Sequence, residues 1–223
     1  MSDFSVPDEE DKKQEDKLSV IMQCLDYAYT KAIDGIPGMD TAYELANDYL
    51  KEKGELEDQI NCLIRWQNTK SATSGFLTGV GGLITMPIAI PANISSVIFV
   101  QVRMIATIAI MAGYDVRDDK VKTLVYTCLA GNASKEILKD IGIQIGTKLT
   151  KSAISNISGK VLTKINQAVG FRLLTKFGEK GVINLGKCIP FIGGVIGGSF
   201  DAVTTNIIGN TARDTFLSLD IQD

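Results

Sequence analysis

Residues 75–115 read GFLTGVGGLITMPIAIPANISSVIFVQVRMIATIAIMAGYD, and between Lys70 and Asp115 Arg103 alone is charged. The first half, to about Thr85, is glycine-rich, with Gly75 and Gly79 four apart. Small residues at that spacing let two helix backbones approach closely, in bilayers and in soluble cores alike. Pro87 and Pro91 interrupt any helix that reaches them. From about Ala92 to Ala112 the pattern predicts one long apolar helix, with Gly113 suited to a left-handed C-terminal turn. The rest of the chain has to pack on this stretch or lie beside it on a membrane. The reading is an all-α, single-domain bundle of about 8–10 helices around a Gly-rich apolar central helix pair.

A helix over residues 94–113 would be about 30 Å long, enough to cross a bilayer. Its nine Val, Ile and Phe residues favour insertion by about 4 kcal/mol in total. Arg103 near the centre returns about 3 kcal/mol of that, and Ser95, Ser96, Gln101 and Thr107 return more. The balance is close to zero, so a single stable span is not favoured. The polar residues are also grouped, because Asn93, Ser96, Arg103 and Thr107 fall within roughly 80° on a helical wheel. Asp201, Thr204 and Thr205 form a matching stripe late in the chain. An unpaired buried charge is costly, which predicts that Arg103 pairs with Asp201 or with the carboxylates of residues 115–119. The functional alternative is an anion or lipid-headgroup site at Arg103.

Before the central stretch, residues 1–16 are polar and charge-dense and are expected to form a disordered acidic tail, with the helical domain spanning 17–223. Leu18, Ile21, Met22, Leu25, Ala28, Tyr29, Ala32 and Ile33 then recur at helical spacing, and Gly35-Ile36-Pro37-Gly38 ends that helix. Asp40 is a fair N-cap for a short helix closed by Gly54. A third helix starts near Leu56. After the stretch, Asp115, Asp118 and Asp119 read as caps and dipole-complementing acids for a helix through Val121, Leu124 and Cys128. The alternative, a divalent cation on three carboxylates, lacks the further ligands and closing Glu of a calcium loop. Ser134 is placed to cap the next helix. Residues 161–173 carry another amphipathic face, and a helix from about Gly194 to Leu217 closes the fold. No alternation or hairpin signal marks a strand.

Charge divides the chain. Residues 1–70 hold 8 Lys/Arg against 16 Asp/Glu, and residues 133–187 hold ten against three, a net of +7. An acidic front and basic rear fit either an anionic partner for the rear or complementarity between the halves. The chain has no histidine, which removes the commonest general base and metal ligand. Cys24, Cys62, Cys128 and Cys188 stand far apart without a CxxC pair, so zinc or redox use is not indicated, and buried thiols in a reducing compartment are expected. The acidic opening residues are no signal peptide. GFLTGVGG lacks the phosphate-loop lysine and a preceding strand. Interleaved aromatics on a nucleic-acid module are also missing, so no nucleic-acid partner is expected.

Several long segments resemble the bacterial EcsC family in the right order: AYTKAIDGIPG (28–38), LIRWQNTKSATSGFLTGVGGLITMPIAIPANI (63–94), QVRMIATIAIMAGYD (101–115), GKVLTKINQAVGFRLLTKFGEKG (159–181) and IPFIGGVIGGSFDAVTTNIIGNTA (189–212). The resemblance implies an intracellular, membrane-associated helical protein. It supplies no catalytic residue and no cofactor or metal site.

The expectation for function follows from the apolar stretch, the Gly-rich IPFIGGVIGG unit and the +7 segment. It is an amphitropic helical protein at the cytoplasmic face of a membrane, peripheral and touching anionic lipid or a membrane protein such as a transporter. The candidate lipid or anion contacts are Lys148, Lys151, Lys160, Lys164, Arg172 and Lys176. The candidate polar cluster is Arg103, Asp201, Asp115, Asp118 and Asp119. The alternative is a soluble scaffold module without membrane contact. An enzyme with an Asp-rich metal or phosphate site is the third reading, and the absence of histidine leans against it. The sequence leaves the oligomeric state open.

Overall fold

The computed structural model describes residues 9–71, 92–140, 154, 156–177 and 194–217. Among these are eight α-helices, one 3-10 turn and no strand, only an isolated bridge between Ile36 and Met39. The chain is an all-α single-domain bundle.

Helix α1 (Glu9–Asp34) begins well before Lys17, so residues 9–16 are helical and not the expected tail. Their physical reason is composition. Glu, Lys and Gln are good helix formers, acids favour a helix start, and Glu9 and Lys13 stand four apart. Leu18, Met22, Leu25 and Tyr29 then give α1 a stripe to bury. Gly35 and Gly38 take positive φ (93° and 79°) in the turn that follows.

Helix α2 (Ala42–Tyr49) is capped by Thr41 and not by Asp40. Thr41 Oγ accepts from Glu44 N, while Glu44 Oε2 accepts from Thr41 N at 2.8 Å. That reciprocal box satisfies two orphan N–H groups at once, which a lone Asp one residue earlier could not do. Gly54, at φ 118°, turns the chain into α3 (Leu56–Ser71).

Helix α4 (Ala92–Met111) is the centre. Every residue from Ile98 to Ala109 is buried, and α1, α2, α3, α5 and α8 all pack on it. A helix this apolar, whose few polar residues are buried as well, belongs inside a core. Gly113 ends it at φ 80°, with Tyr114 N–H donating to Ala109 O at 3.0 Å. The Gly-rich partner expected at 75–85 lies outside the described residues.

Helix α5 (Asp119–Cys128) is followed by the 3-10 turn Gly131–Ala133 and by α6 (Ser134–Asp140). Ser134 does not cap α6. Its hydroxyl donates back to the carbonyls of Thr127 and Gly131, tying the two helices together. Helices α7 (Gly159–Phe177) and α8 (Gly194–Leu217) complete the bundle.

Two glycines set the helix crossings. A Cβ on Gly209 of α8 would lie 2.9 Å from Ile64 Cγ1 and Cγ2 on α3, and one on Gly170 of α7 would lie 2.5 Å from Leu18 Cδ1 on α1. At Gly209 the branched carbons of Ile64 leave no room for a larger side chain at the present spacing, while at Gly170 the tip of Leu18 would have to move. The α3–α8 seam is antiparallel, with Asn68 on Asn206 and Asn61 on Arg213.

Candidate functional site

Arg103 sits midway along α4, 3 % exposed. Its Nη1 donates to the backbone carbonyl of Asp40 at 2.9 Å, and its guanidinium carbon lies 5.4 Å from the centre of the Phe99 ring. Nε meets no acceptor. Burial pulls the guanidinium down to about 10, against the opposing pull of the Asp40 carboxylate and Tyr49. Among the described residues Arg103 forms no ion pair. The expected pairing with the 115–119 carboxylates is therefore not made. Met111 ends α4 about 12 Å beyond Arg103, and the acids past it are engaged locally. The side chain of Asp201, the other expected partner, lies outside the described residues. Gln101, which lies off the expected stripe on another side of α4, donates from Nε2 to Thr205 Oγ1 of α8 at 3.2 Å.

Asp115 Oδ1 accepts from Arg117 N at 2.9 Å, and Asp118 Oδ1 accepts from Lys120 N at 2.7 Å as the N-cap of α5. Asp119 lies in the first turn, where a negative charge complements the helix dipole. These acids cap and turn the chain. Among the described residues no cluster of three His, Cys, Asp or Glu side chains could hold a metal.

A different cluster was not legible in the sequence. Tyr29 OH donates to Val116 O at 2.6 Å, and Tyr126 OH donates to Asp26 Oδ1 at 2.8 Å. Lys122 Nζ pairs with the same Asp26 oxygen at 2.6 Å and stands 5.6 and 5.7 Å over the Tyr29 and Tyr126 rings. The two rings meet edge to face at 5.6 Å. Burial raises the Tyr29 and Tyr126 hydroxyls well above the usual phenol range, and Asp26 adds to the rise at Tyr126. Asp26, Lys122 and Tyr126 of this cluster line a cleft of about 340 Å³ between α1, α5 and α7. Its sequence signal is slight: a carboxylate on the polar edge of α1, with Lys122 and Tyr126 four apart on α5.

The basic candidates separate along α7. Lys160, Lys164 and Arg172 are exposed. Phe171, 50 % exposed, lies within about 40° of Lys160 and Lys164 around the helix. Ile165, Val169 and Leu173 fill the opposite, buried side, and Gly170 lets α1 approach. One face of α7 therefore shows Lys160, Lys164 and a half-exposed aromatic ring, with Arg172 about 100° round the helix from that ring, and the opposite face enters the core. Lys148 and Lys151 lie outside the described residues, as does the side chain of Lys176.

No helix among the described residues is long and apolar enough to cross a membrane. This agrees with the near-zero insertion balance of residues 94–113. The model of the EcsC protein family matches residues 30–217 of the chain. No curated protein and no solved structure matches it.

Proposed function

Given that this chain belongs to the EcsC protein family, we propose that it is an amphitropic helical protein that docks through the exposed face of α7 on the anionic, cytoplasmic surface of a membrane. The observation that carries this reading is the row Lys160, Lys164 and Phe171, with Arg172 beside it, all turned to solvent. A cation near an anionic bilayer surface gains about 1 kcal/mol. Three exposed cations therefore supply about 3 kcal/mol, while burying the exposed half of one Phe ring adds about 1 kcal/mol. Charge dominates, and the association is reversible and sensitive to salt.

The core takes no part in this docking. Helix α4 stays enclosed by its neighbours, and only α7 meets lipid. Co-sedimentation of the whole protein with vesicles of phosphatidylglycerol and of phosphatidylcholine tests the proposal. Binding is expected to the anionic vesicles at low salt, with loss at high salt and in K160Q/K164Q/R172Q. Phe171→Ser weakens binding less and mainly affects what survives in salt. Absence of binding to anionic vesicles at low salt would sink the reading. Binding that K160Q/K164Q/R172Q retains in full would place any lipid contact elsewhere.

A further inference from the structure

The cleft between α1, α5 and α7 lies apart from the face that meets lipid. Its volume, about 340 Å³, is at the small end of ligand clefts, which run from about 300 to 1,000 Å³. Residues 119–126 of α5 and 159–166 of α7 each line it at positions i, i+3, i+4 and i+7, so each helix turns one stripe toward it. On α7 that stripe is about 130° round the helix from Lys160, Lys164 and Phe171. A bilayer resting on those three residues would leave the cleft facing solution.

The lining holds acceptors that meet no donor among the described residues. Asp26 Oδ1 takes both Tyr126 OH and Lys122 Nζ, which leaves Oδ2 of the same half-exposed carboxylate free there. Asp119 is exposed and forms no ion pair among the described residues. Asn166 Oδ1 is closed to water and likewise lacks a donor. A buried acceptor left unmet is costly and calls for a partner. The last torsion of an Asn side chain is soft, so a small turn brings this oxygen to a donor in the cleft. Lys122, the cation of the lining, is engaged by Asp26 and stands over the Tyr29 and Tyr126 rings. Two carboxylates against one ammonium leave one negative charge in excess.

We infer that the cleft binds a small primary amine from solution, as its ammonium ion. An alkylammonium group carries three N–H donors and one positive charge. Asp26 Oδ2, the Asp119 carboxylate and Asn166 Oδ1 match those donors, and the added charge cancels the excess. Met22 and Leu162, part-buried in the same lining, give the methylene groups an apolar contact. Binding here requires no membrane contact.

Titration of the isotope-labelled, full-length protein with ethylammonium chloride tests this, with sodium chloride holding ionic strength constant and amide NMR shifts as the readout. Saturable shifts are expected at the backbone amides of Thr123 and Thr163 and at the Asn166 side chain, all in the lining. Tetramethylammonium has the same charge and no N–H donor, and should bind at least about tenfold more weakly. N166L should weaken ethylammonium about tenfold, and D119N about threefold. E55Q removes an acid in the loop between α2 and α3 and should change affinity less than about 1.5-fold. D119N alters an exposed side chain and keeps the Asp118 cap, so it carries the test if N166L fails to fold.

No shift at these residues would overturn the proposal. Equal binding of tetramethylammonium would reduce the effect to diffuse charge attraction and overturn it too, as would equal weakening by D119N and E55Q. Full affinity in a folded N166L, or in D119N, would also overturn it. Phosphatidylethanolamine vesicles that bind the natural protein better than N166L, with free ethylammonium inert, would assign the amine to a lipid headgroup and overturn the free source.

Discussion

The guanidinium of Arg103 closes on the backbone carbonyl of Asp40, at 2.9 Å, and not on any carboxylate among the described residues. The single charge of the central helix is thus held by the turn that leads into α2. One hydrogen bond and a nearby aromatic face offset only part of the cost of burying it.

Replacing Arg103 with Met, a side chain of similar reach, is therefore expected to leave the protein as stable as before, or up to about 2 kcal/mol more stable. Arg103→Ala should fall below the Met variant by about 2–3 kcal/mol, the cost of the void. Urea denaturation midpoints measure both. A loss of more than about 2 kcal/mol in the Met variant would mean that the bond to Asp40 outweighs the desolvation it accompanies.

The two crossing glycines should behave unlike a third. Gly209→Ala puts a methyl 2.9 Å from two carbons of Ile64, and Gly170→Ala puts one 2.5 Å from Leu18 Cδ1. Gly209→Ala is expected to cost about 1–3 kcal/mol as the helices move apart or the buried Ile64 leaves its rotamer, while Gly170→Ala costs less because the tip of the part-exposed Leu18 can swing aside. At Gly159 nothing lies within 4 Å, so Ala there should gain about 0.5 kcal/mol through lost chain entropy. Thermal unfolding of the three variants gives the order. An equal effect at all three positions would contradict the close approach.

Tyr126→Phe removes a hydroxyl that donates to Asp26. The carboxylate is about half exposed, at 53 % of its side chain, so the expected loss is about 1 kcal/mol and not the larger value of a fully buried charged bond. In a double-mutant cycle with Asp26→Ala, which removes the acceptor, the coupling should be most of that loss. Additivity of the two changes would show that the bond contributes nothing.

Burial pushes the Cys24 and Cys128 thiols up to about 12 from 9.0. A raised native pKa means that the folded chain keeps its proton while the unfolded chain gives it up. This stabilisation is complete below pH 9 and is lost as pH climbs from 9 toward 12. Tyr49, also raised by burial to about 12, adds to the slope in the same direction above pH 10. The natural protein should therefore weaken between pH 8 and about pH 11, and C24A/C128A should weaken less over the same range. Parallel pH profiles for the two proteins would exclude the thiols as a source of the slope.

Much of the fold was legible because helices announce themselves locally. The three- and four-residue spacing of Ile21, Leu25, Ala28 and Tyr29 fixes the buried side of α1, and Gly113 closes α4 where a left-handed residue was needed. The errors were local competitions. Asp40 and Thr41 are both cap residues, and only Glu44, three beyond Thr41, decides between them. Residues 9–16 look like solvent-facing chain by charge, yet they are helix formers by backbone preference. On α7 the charge pattern alone singled out Lys160 and Lys164, while nothing in the spacing marked Phe171 as half-exposed beside them. Asp26, Lys122 and Tyr126 come from α1 and α5, and no spacing within either helix reveals that they meet. The acceptor that Arg103 does meet among the described residues is a backbone carbonyl, which no charge pattern marks because every peptide offers one.

The enclosure of α4 has a consequence for synthesis. Its cover comes from both directions along the chain, from α1 through α3 before it and from α5 and α8 after it. Helix α8 ends about a hundred residues beyond α4, and at 5–20 residues per second the ribosome needs about 5–20 s to deliver it. Through that interval the most apolar helix among the described residues is made but only half covered. A chaperone that holds nascent chains would find its clearest target there, and a chain halted before α8 should aggregate where the finished one does not.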